Sequence, residues 1–189
     1  MHTVIHAERL DLLPMPLVMM RAIRDGNWPG VGRLLGTDIP AEWRDADWQW
    51  LDQRMARAEA DLAELLWAPH VLLLRRDAPE AGCGRVVAGD AGFHGQPDEN
   101  GRVELGYMVL SPYRRQGLAA EAVRALLAWA GAEQGVTRFQ ACINPDNAPS
   151  LNLIRKLGFG QVGSQLHERR GQELIFHLDS STSTGRPAN

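Results

Sequence analysis

Residues 111–123 read SPYRRQGLAAEAV, two arginines, a glutamine and a glycine immediately ahead of an apolar-striped helix. A helix start carries unpaired backbone N–H groups and the positive end of the macrodipole, so it attracts an anion, most often phosphate. Gly117 lets the main chain approach a phosphate closely, Ala119 keeps the first turn slim, and Arg114 and Arg115 add charge. Taken alone, the arginines also read as solvated loop charges and Gly117 as a helix-entry glycine. A second residue with chemical potential is Glu104, in VELGYMVL. A carboxylate inside an apolar run needs a partner or a task. General base is the task, and an arginine pair at the wet end of a sheet is the alternative.

Other phosphate sites fit less well. No GxxxxGK[ST] string exists, so a Walker loop is excluded. GVGRLLG, residues 30–36, has glycines near the offsets of a dinucleotide fingerprint, but it follows GNWP instead of an apolar strand and opens no long helix. Six scattered histidines and the unpaired Cys83 and Cys142 show no metal-ligand spacing, so no metal is expected. A formal net charge of -3 gives no basic field for nucleic acid. LLPMPLVMM is apolar but short and broken by Pro14 and Pro16, and MHTVIHAERLDLL carries charges where a signal peptide needs an apolar run. These features lead us to expect a cytoplasmic protein without a membrane partner, its thiols free.

The elements that must position these residues follow from periodicity. VIHAERLDLL reads as a strand and PLVMMRAIRD as a short helix ending near Gly26. From Trp43 the apolar residues Trp48, Leu51, Met55, Ala58, Leu62 and Leu65 recur at steps of three and four, which predicts one helix closed by Pro69. HVLLLRR, RVVAGDAGF and RVELGYMVL read as three strands joined by the turns DAPEAGCG and GQPDENG. A helix follows Gly117 and stops at Gly135, and VTRFQACI is the next strand. Asn147 caps a helix that Gly158 ends, and FGQVGSQLHE with QELIFHLD makes a closing hairpin. Turn-linked strands imply antiparallel pairing, and strand–helix–strand implies a parallel pair, so the expectation is a mixed α/β sheet, mostly antiparallel, with helices on both faces. Residues 1–179 are expected to form one domain, followed by a disordered tail at 180–189.

RRQGLA resembles the R/Q-x-x-G-x-A/G signature of the GCN5-related N-acetyltransferases, the GNAT superfamily, with Arg114, Gly117 and Ala119 at the signature positions. VELGYMVLSPYRRQGLAAEAV is similar to the strand–loop–helix core of the RimJ/RimL-type branch. INPDNAPSLNLIRKLGF is similar to its second motif, here Asn147, Ser150, Lys156, Gly158 and Phe159. The likeness extends over residues 3–178. It implies acetyl-CoA as cofactor, its pyrophosphate held by the loop and helix start, Arg114, Arg115, Gln116, Gly117, Leu118 and Ala119. It also implies that the strand through Met108, Val109 and Leu110 splays from the strand containing Cys142, exposing main-chain groups to the pantetheine arm and thioester oxygen. An N–H aimed at the developing oxyanion contributes about 3–4 kcal/mol. Related enzymes often place a glutamate near Glu104 as base. Many place a tyrosine four residues before the Gly-Phe glycine as acid, and that position is Ile154 here. Ser150 is a substitute donor, or else a cofactor contact or helix cap. Tyr107 is a further candidate, with a packing role as its alternative.

The acceptor implied is a primary amine, on a small molecule or a protein N-terminus. Deprotonating a lysine near pH 7 costs about 4–5 kcal/mol and an α-amino group about 1 kcal/mol, so lysine-like acceptors need the stronger base. Trp43 and Trp50 fall off the helical stripe and are candidates for an apolar substrate lip, with surface packing or a homodimer contact as the alternatives. A catalytically silent acyl-CoA-binding module is the competing function, since intact cofactor motifs serve both.

Overall fold

The computed structural model describes residues 3–76 and 84–180, so Cys83, most of the DAPEAGCG turn and the tail beyond Ser180 lie outside the described residues. Contacts group the chain into two compact units, Met1–Gln96 with Gly106–Leu126 and Pro97–Leu105 with Leu127–Asn189. Two elements run from one unit into the other: strand β5 (Arg102–Val109) and helix α5 (Leu118–Gln134).

In the first unit β1 (Ile5–His6), β2 (Leu10–Pro14), β3 (His70–Arg75) and β4 (Arg85–Phe93) pair antiparallel in succession, and β5 follows in the order. The single strand expected over VIHAERLDLL is two, because Ala7 N–H donates to Leu10 C=O at 2.8 Å and turns the chain at Glu8-Arg9. Helix α1 (Leu17–Arg24) lies where its periodicity predicts. The glycine-rich GVGRLLG, given no element from sequence, lies in helix α2 (Trp28–Leu35). Asn27 caps it by accepting from Gly30 N–H, Gly36 ends it at φ 65°, and Val31 and Leu35 bury its inner face. Capping and burial there outweigh the helix-weakening glycines.

The single helix expected from Trp43 to Leu65 is three pieces: α3 (Ala41–Arg44), α4 (Trp50–Ala60) and a 3-10 turn, Leu62–Trp67. Short polar side chains make the breaks. Asp47 accepts from Gln49 N–H and Asp61 from Ala63 N–H, offering the backbone an alternative to the helix ladder. Leu51, Met55 and Ala58 are buried as the stripe requires, whereas Leu62, past the break, is 71% exposed. The unit's core gathers Met19, Met20 and Ile23 of α1, Trp43, Leu51 and Met55, Val71, Leu73 and Val87 from the sheet, and Leu110 just past β5. Burying each such side chain contributes about 1.5–3 kcal/mol.

In the second unit the order is β5-β6-β8-β7, with β6 (Arg138–Ile143), helix α6 (Ala148–Lys156), β7 (Gly160–His167) and β8 (Gly171–Asp179). β5 pairs parallel with β6 only through Arg102, Val103 and Glu104, set against Arg138, Phe139 and Gln140. β6–β8 and β7–β8 are antiparallel, so the closing hairpin forms as expected. Val103, Phe139, Ile154 and Phe176 are buried. Gly158, at φ 91°, ends α6. The fold is therefore mixed α/β, mostly antiparallel, with one parallel pair. Among the described residues no helix is long and apolar enough to cross a membrane, and no cluster of His, Cys, Asp and Glu is arranged to hold a metal ion.

Candidate functional site

The loop after β5 is shaped by backbone conformation. Ser111–Tyr113 makes a short 3-10 turn, Arg114 is extended, Arg115 takes the left-handed φ of 60°, and Gly117 takes 82°. Left-handed geometry at a non-glycine residue costs about 1–2 kcal/mol, so the surroundings must hold it in place. Alternating conformations of this kind turn successive amides toward one concavity that suits an anion. No described hydrogen bond takes up the amides of Arg115, Gln116 or Gly117. Leu118, 1% exposed, anchors the helix entry from inside, so only its main chain is available to a ligand.

Two carboxylates brace this loop. Glu42 accepts from Ser111 N–H at 2.9 Å and Ser111 Oγ at 2.8 Å, and it ion-pairs with Arg114 at 3.2 Å. The Ser111 hydrogen bonds, more than Arg114, hold its carboxyl below the ordinary range. Arg114 also donates through Nε to Val109 C=O at 2.8 Å, so this arginine ties strand end to loop. From the other side Arg9 Nη1 donates to Gln116 C=O at 2.9 Å, and a Cβ at Gly117 would stand 3.4 Å from Arg9 Nη2. Glu121, on the first turns of α5, fixes Arg9 by accepting from its backbone N–H at 2.6 Å and its Nε at 2.8 Å, and it also accepts from Leu10 N–H at 3.0 Å. Sequence reasoning did not find this clamp, because its partners are 112 residues apart.

Along β5 the backbone groups alternate in direction. Leu110 N–H donates to Ala88 C=O of β4 at 2.9 Å, and its side chain is buried. Its amide is thereby committed, which removes it from the expected cofactor contacts. Met108 C=O also faces β4, where a Cβ on Gly89 would lie 2.0 Å from it. The β3–β4 register slips at this point, pairing Leu72 with Gly89 and Leu73 with Val87. Alternation aims Val109 the other way, and its carbonyl is the one Arg114 takes. Tyr107 is half-buried.

In the second unit Glu104 is half-buried and accepts from Gln140 Nε2 at 3.0 Å. Arg102, the arginine two residues before it, ion-pairs with Asp179 at 3.0 Å. Gln140 Oε1 meets His177 Nε2 at 3.0 Å, and Gln165 Nε2 meets Glu173 Oε2 at 3.1 Å. Between these groups the Cys142 thiol is pushed up to about 12, by burial first and then by Glu104 and Glu173, so it stays protonated and unreactive. Asn147 caps α6 as expected by accepting from Ser150 N–H at 3.2 Å, and Ser150 sits in the first turn. Ile154, at the position where many relatives carry a tyrosine, is fully buried.

Trp43 is corrected. It is 0% exposed, the centre of an aromatic cluster with Trp28 at 6.4 Å and Trp48 at 4.8 Å between ring centroids, and so is core, not a substrate lip. The helical stripe misplaced it because the helix breaks at Asp45. Trp48, read as core from the stripe, is half-buried, and Trp50 is 38% exposed. The Trp43 indole N–H donates to Asp90 Oδ2 at 2.9 Å. Burial pushes the Asp90 carboxyl up to about 6, against the lowering effect of that hydrogen bond. Sequence reasoning missed Asp90, although a lone carboxylate in RVVAGDAGF is the same signal that singled out Glu104.

A family model described as an acetyltransferase (GNAT) domain matches residues 20–160. The N-acetyltransferase YjdG of Bacillus subtilis is 40% identical over 73 residues, 39% of this chain and 44% of that protein. The chain spans less than half the length of the first curated relatives it matches. A GNAT-family acetyltransferase from Bordetella pertussis superposes with a TM-score of 0.60 at 25% identity, covering 94% of this chain and 99% of that one. RimL, a ribosomal-protein acetyltransferase solved in complex with coenzyme A, shares the fold at a TM-score of 0.61 and 13% identity, over 94% of this chain and 98% of that one. A match across three-quarters of the sequence places the assignment beyond a shared loop, and the chain belongs to the GNAT acetyltransferase domain family.

Proposed function

We propose that this chain is an acetyl-CoA-dependent N-acetyltransferase acting on a primary amine. The observation that carries the reading is the Arg115–Gly117 turn, whose amides are not taken up by the described hydrogen bonds and which opens the 17-residue helix α5. Partial positive charge at a helix start and a concave row of amides suit a pyrophosphate. The coenzyme A bound to RimL, which shares this fold, supports the same cofactor. Once bound, acetyl-CoA supplies an activated acetyl carbonyl.

The protein's own part is electrostatic and positional. The Gln116–Gly117 amides and the Arg115 charge hold the diphosphate. Val109 N–H, on the edge of β5 turned away from β4, polarises the carbonyl. Glu104 accepts the proton that the amine nitrogen releases as its bond to the acetyl carbon forms and the carbon–sulfur bond breaks. A hydroxyl at Tyr107 or Ser150 returns a proton to the departing thiolate. An α-amino acceptor suits a carboxylate base better than a lysine does, because freeing its lone pair costs about 1 kcal/mol.

The buried Ile154 favours a second reading, an acyl-CoA-binding module without turnover, since it removes one proton donor. Calorimetry with coenzyme A and thiol release from acetyl-CoA with a panel of amines separate the two. We expect binding, turnover with some amine, and a loss of roughly a hundredfold or more in Glu104→Gln with coenzyme A binding unchanged. Binding without turnover on any amine would select the silent module, and no binding would refute both.

A further inference from the structure

Most carboxylates of the first unit with described partners have a cation or several N–H donors. Asp11, 6% exposed, has Arg75, Arg85 and His6. Glu42 has Arg114 and Ser111, and Glu121 has Arg9 with two main-chain amides. Asp90 differs. It sits inside β4 among buried neighbours, and its one described partner is neutral, the Trp43 indole N–H on Oδ2. Among the described residues no Lys, Arg or His forms an ion pair with it. A shielded carboxylate without a cation is unfavourable to folding, and a cationic ligand would offset that cost.

Four features bear on what the ligand is. Asp90 keeps partial exposure as a residue, and no described hydrogen bond takes up Oδ1. The residue follows Gly89, whose missing Cβ lets β4 press against Met108 C=O, so Asp90 stands one position from the strand on which the acetyl group is expected. The Trp43 indole cannot swing, because Trp28 and Trp48 pack edge-on against it at 62° and 80°, and Trp48 donates its own N–H to Trp43 C=O at 3.0 Å. A fixed donor on one oxygen aims the other oxygen's lone pairs. Beyond the buried Trp43, the half-buried Trp48 and Trp50, 38% exposed, continue the ring cluster and present apolar surface to solvent.

We propose that Asp90 binds the ammonium group of the acceptor, with Trp43 as its positioning residue; this rests on the acetyltransferase reading. The ligand chemistry is a primary ammonium on a partly apolar carrier. A small alkylamine and the α-amine of a peptide both provide it.

The test uses the Trp43 indole N–H resonance, assigned with Trp43→Phe among the six indole signals. The full-length protein saturated with coenzyme A is titrated with tri-alanine, N-acetyl-tri-alanine and n-butylamine. We expect tri-alanine or n-butylamine to move this resonance, the acetylated peptide to leave it unchanged, and Asp90→Asn to abolish the response while coenzyme A binding is retained. A response to tri-alanine alone identifies a peptide acceptor, and one to n-butylamine alone a small amine. In turnover Asp90→Asn should raise KM for the amine about tenfold or more and change kcat far less. No response to either amine, an equal response to the acetylated peptide, or an unchanged KM overturns the proposal while coenzyme A still binds. Wild-type protein that fails to bind coenzyme A overturns the enzymatic reading itself, and this proposal with it.

Discussion

Removing the Glu121 carboxylate should disable the phosphate loop without touching it. In Glu121→Ala three donors lose their acceptor: Arg9 N–H, Arg9 Nε and Leu10 N–H. Leu10 is 0% exposed, so its amide has no easy recourse to water, at a cost of about 1–3 kcal/mol. The Arg9 side chain is 43% exposed, so its ion pair adds at most about 1 kcal/mol. The sum is about 1–4 kcal/mol, a fall in Tm of about 2–16 °C for a chain of this length. Arg9→Ala isolates the second effect. It spares the Leu10 amide but releases Gln116 C=O, the contact that holds the left-handed Arg115–Gly117 turn from below. Stability should then fall by about 1 kcal/mol or less, while coenzyme A affinity drops roughly tenfold, because ordering the loop is charged to binding. Differential scanning calorimetry and titration calorimetry with coenzyme A read the two quantities separately. If Arg9→Ala leaves affinity within about twofold of wild type, the loop is rigid without Arg9 and the clamp argument is wrong.

Gly89→Ala places a Cβ 2.0 Å from Met108 C=O, a clash between backbone-fixed atoms, and should cost about 3 kcal/mol or more, read as loss of soluble protein or a large fall in Tm. Asp90 has a folded-state pKa raised to about 6 from 3.8, so the folded state binds its proton more tightly and wild-type stability declines as pH rises from about 4 to 6. Asp90→Asn should therefore leave Tm unchanged near pH 4 and raise stability at about pH 7.5 by up to about 3 kcal/mol, checked by thermal melts across that range. Arg54, 2% exposed and 3.5 Å from Glu64, has its pKa lowered to about 10, chiefly by burial. Glu64→Ala strands that charge and should destabilise by about 3–5 kcal/mol in denaturant titration, with the double change Arg54→Met and Glu64→Leu recovering most of it.

What the sequence disclosed and what it hid divide along physical lines. α5, α6, the strands from β3 onward and the closing hairpin were legible because periodicity and caps are local signals, and Asn147, Gly135 and Gly158 act within a few residues of their own helices. The helix entry at Gly117 was legible for the same reason, whereas the left-handed φ of Arg115 was not read. The helix across Trp43–Leu65 was misread because its apolar spacing is genuine, yet Asp47 and Asp61 interrupt the ladder with side-chain hydrogen bonds that periodicity does not weigh. α2 was missed because Gly30 and Gly32 argue against a helix locally, and the Asn27 cap with the burial of Val31 and Leu35 reverses the balance. Glu42, Arg9 and Glu121 reach the loop from far along the chain, where spacing carries no information.

Asp11 and Asp90 show how the same side chain on neighbouring parts of one sheet separates structure from function. Burial opposes ionisation at both. At Asp11 the hydrogen bonds from His6 and Arg75 outweigh it, and the carboxyl falls below its ordinary range. That charge stabilises the folded chain at neutral pH, and the benefit disappears only as acid protonates it. At Asp90 a single neutral indole N–H is too weak to do so, and the carboxyl rises to about 6. Its charge opposes folding throughout the neutral range. A protein selected for stability alone would carry asparagine there, which keeps the hydrogen bond from Trp43 and removes the penalty. The fixed Trp43 contact on one oxygen and the place of Asp90 in β4 are the grounds for assigning it a cation that arrives with the acceptor, which would convert the penalty into affinity.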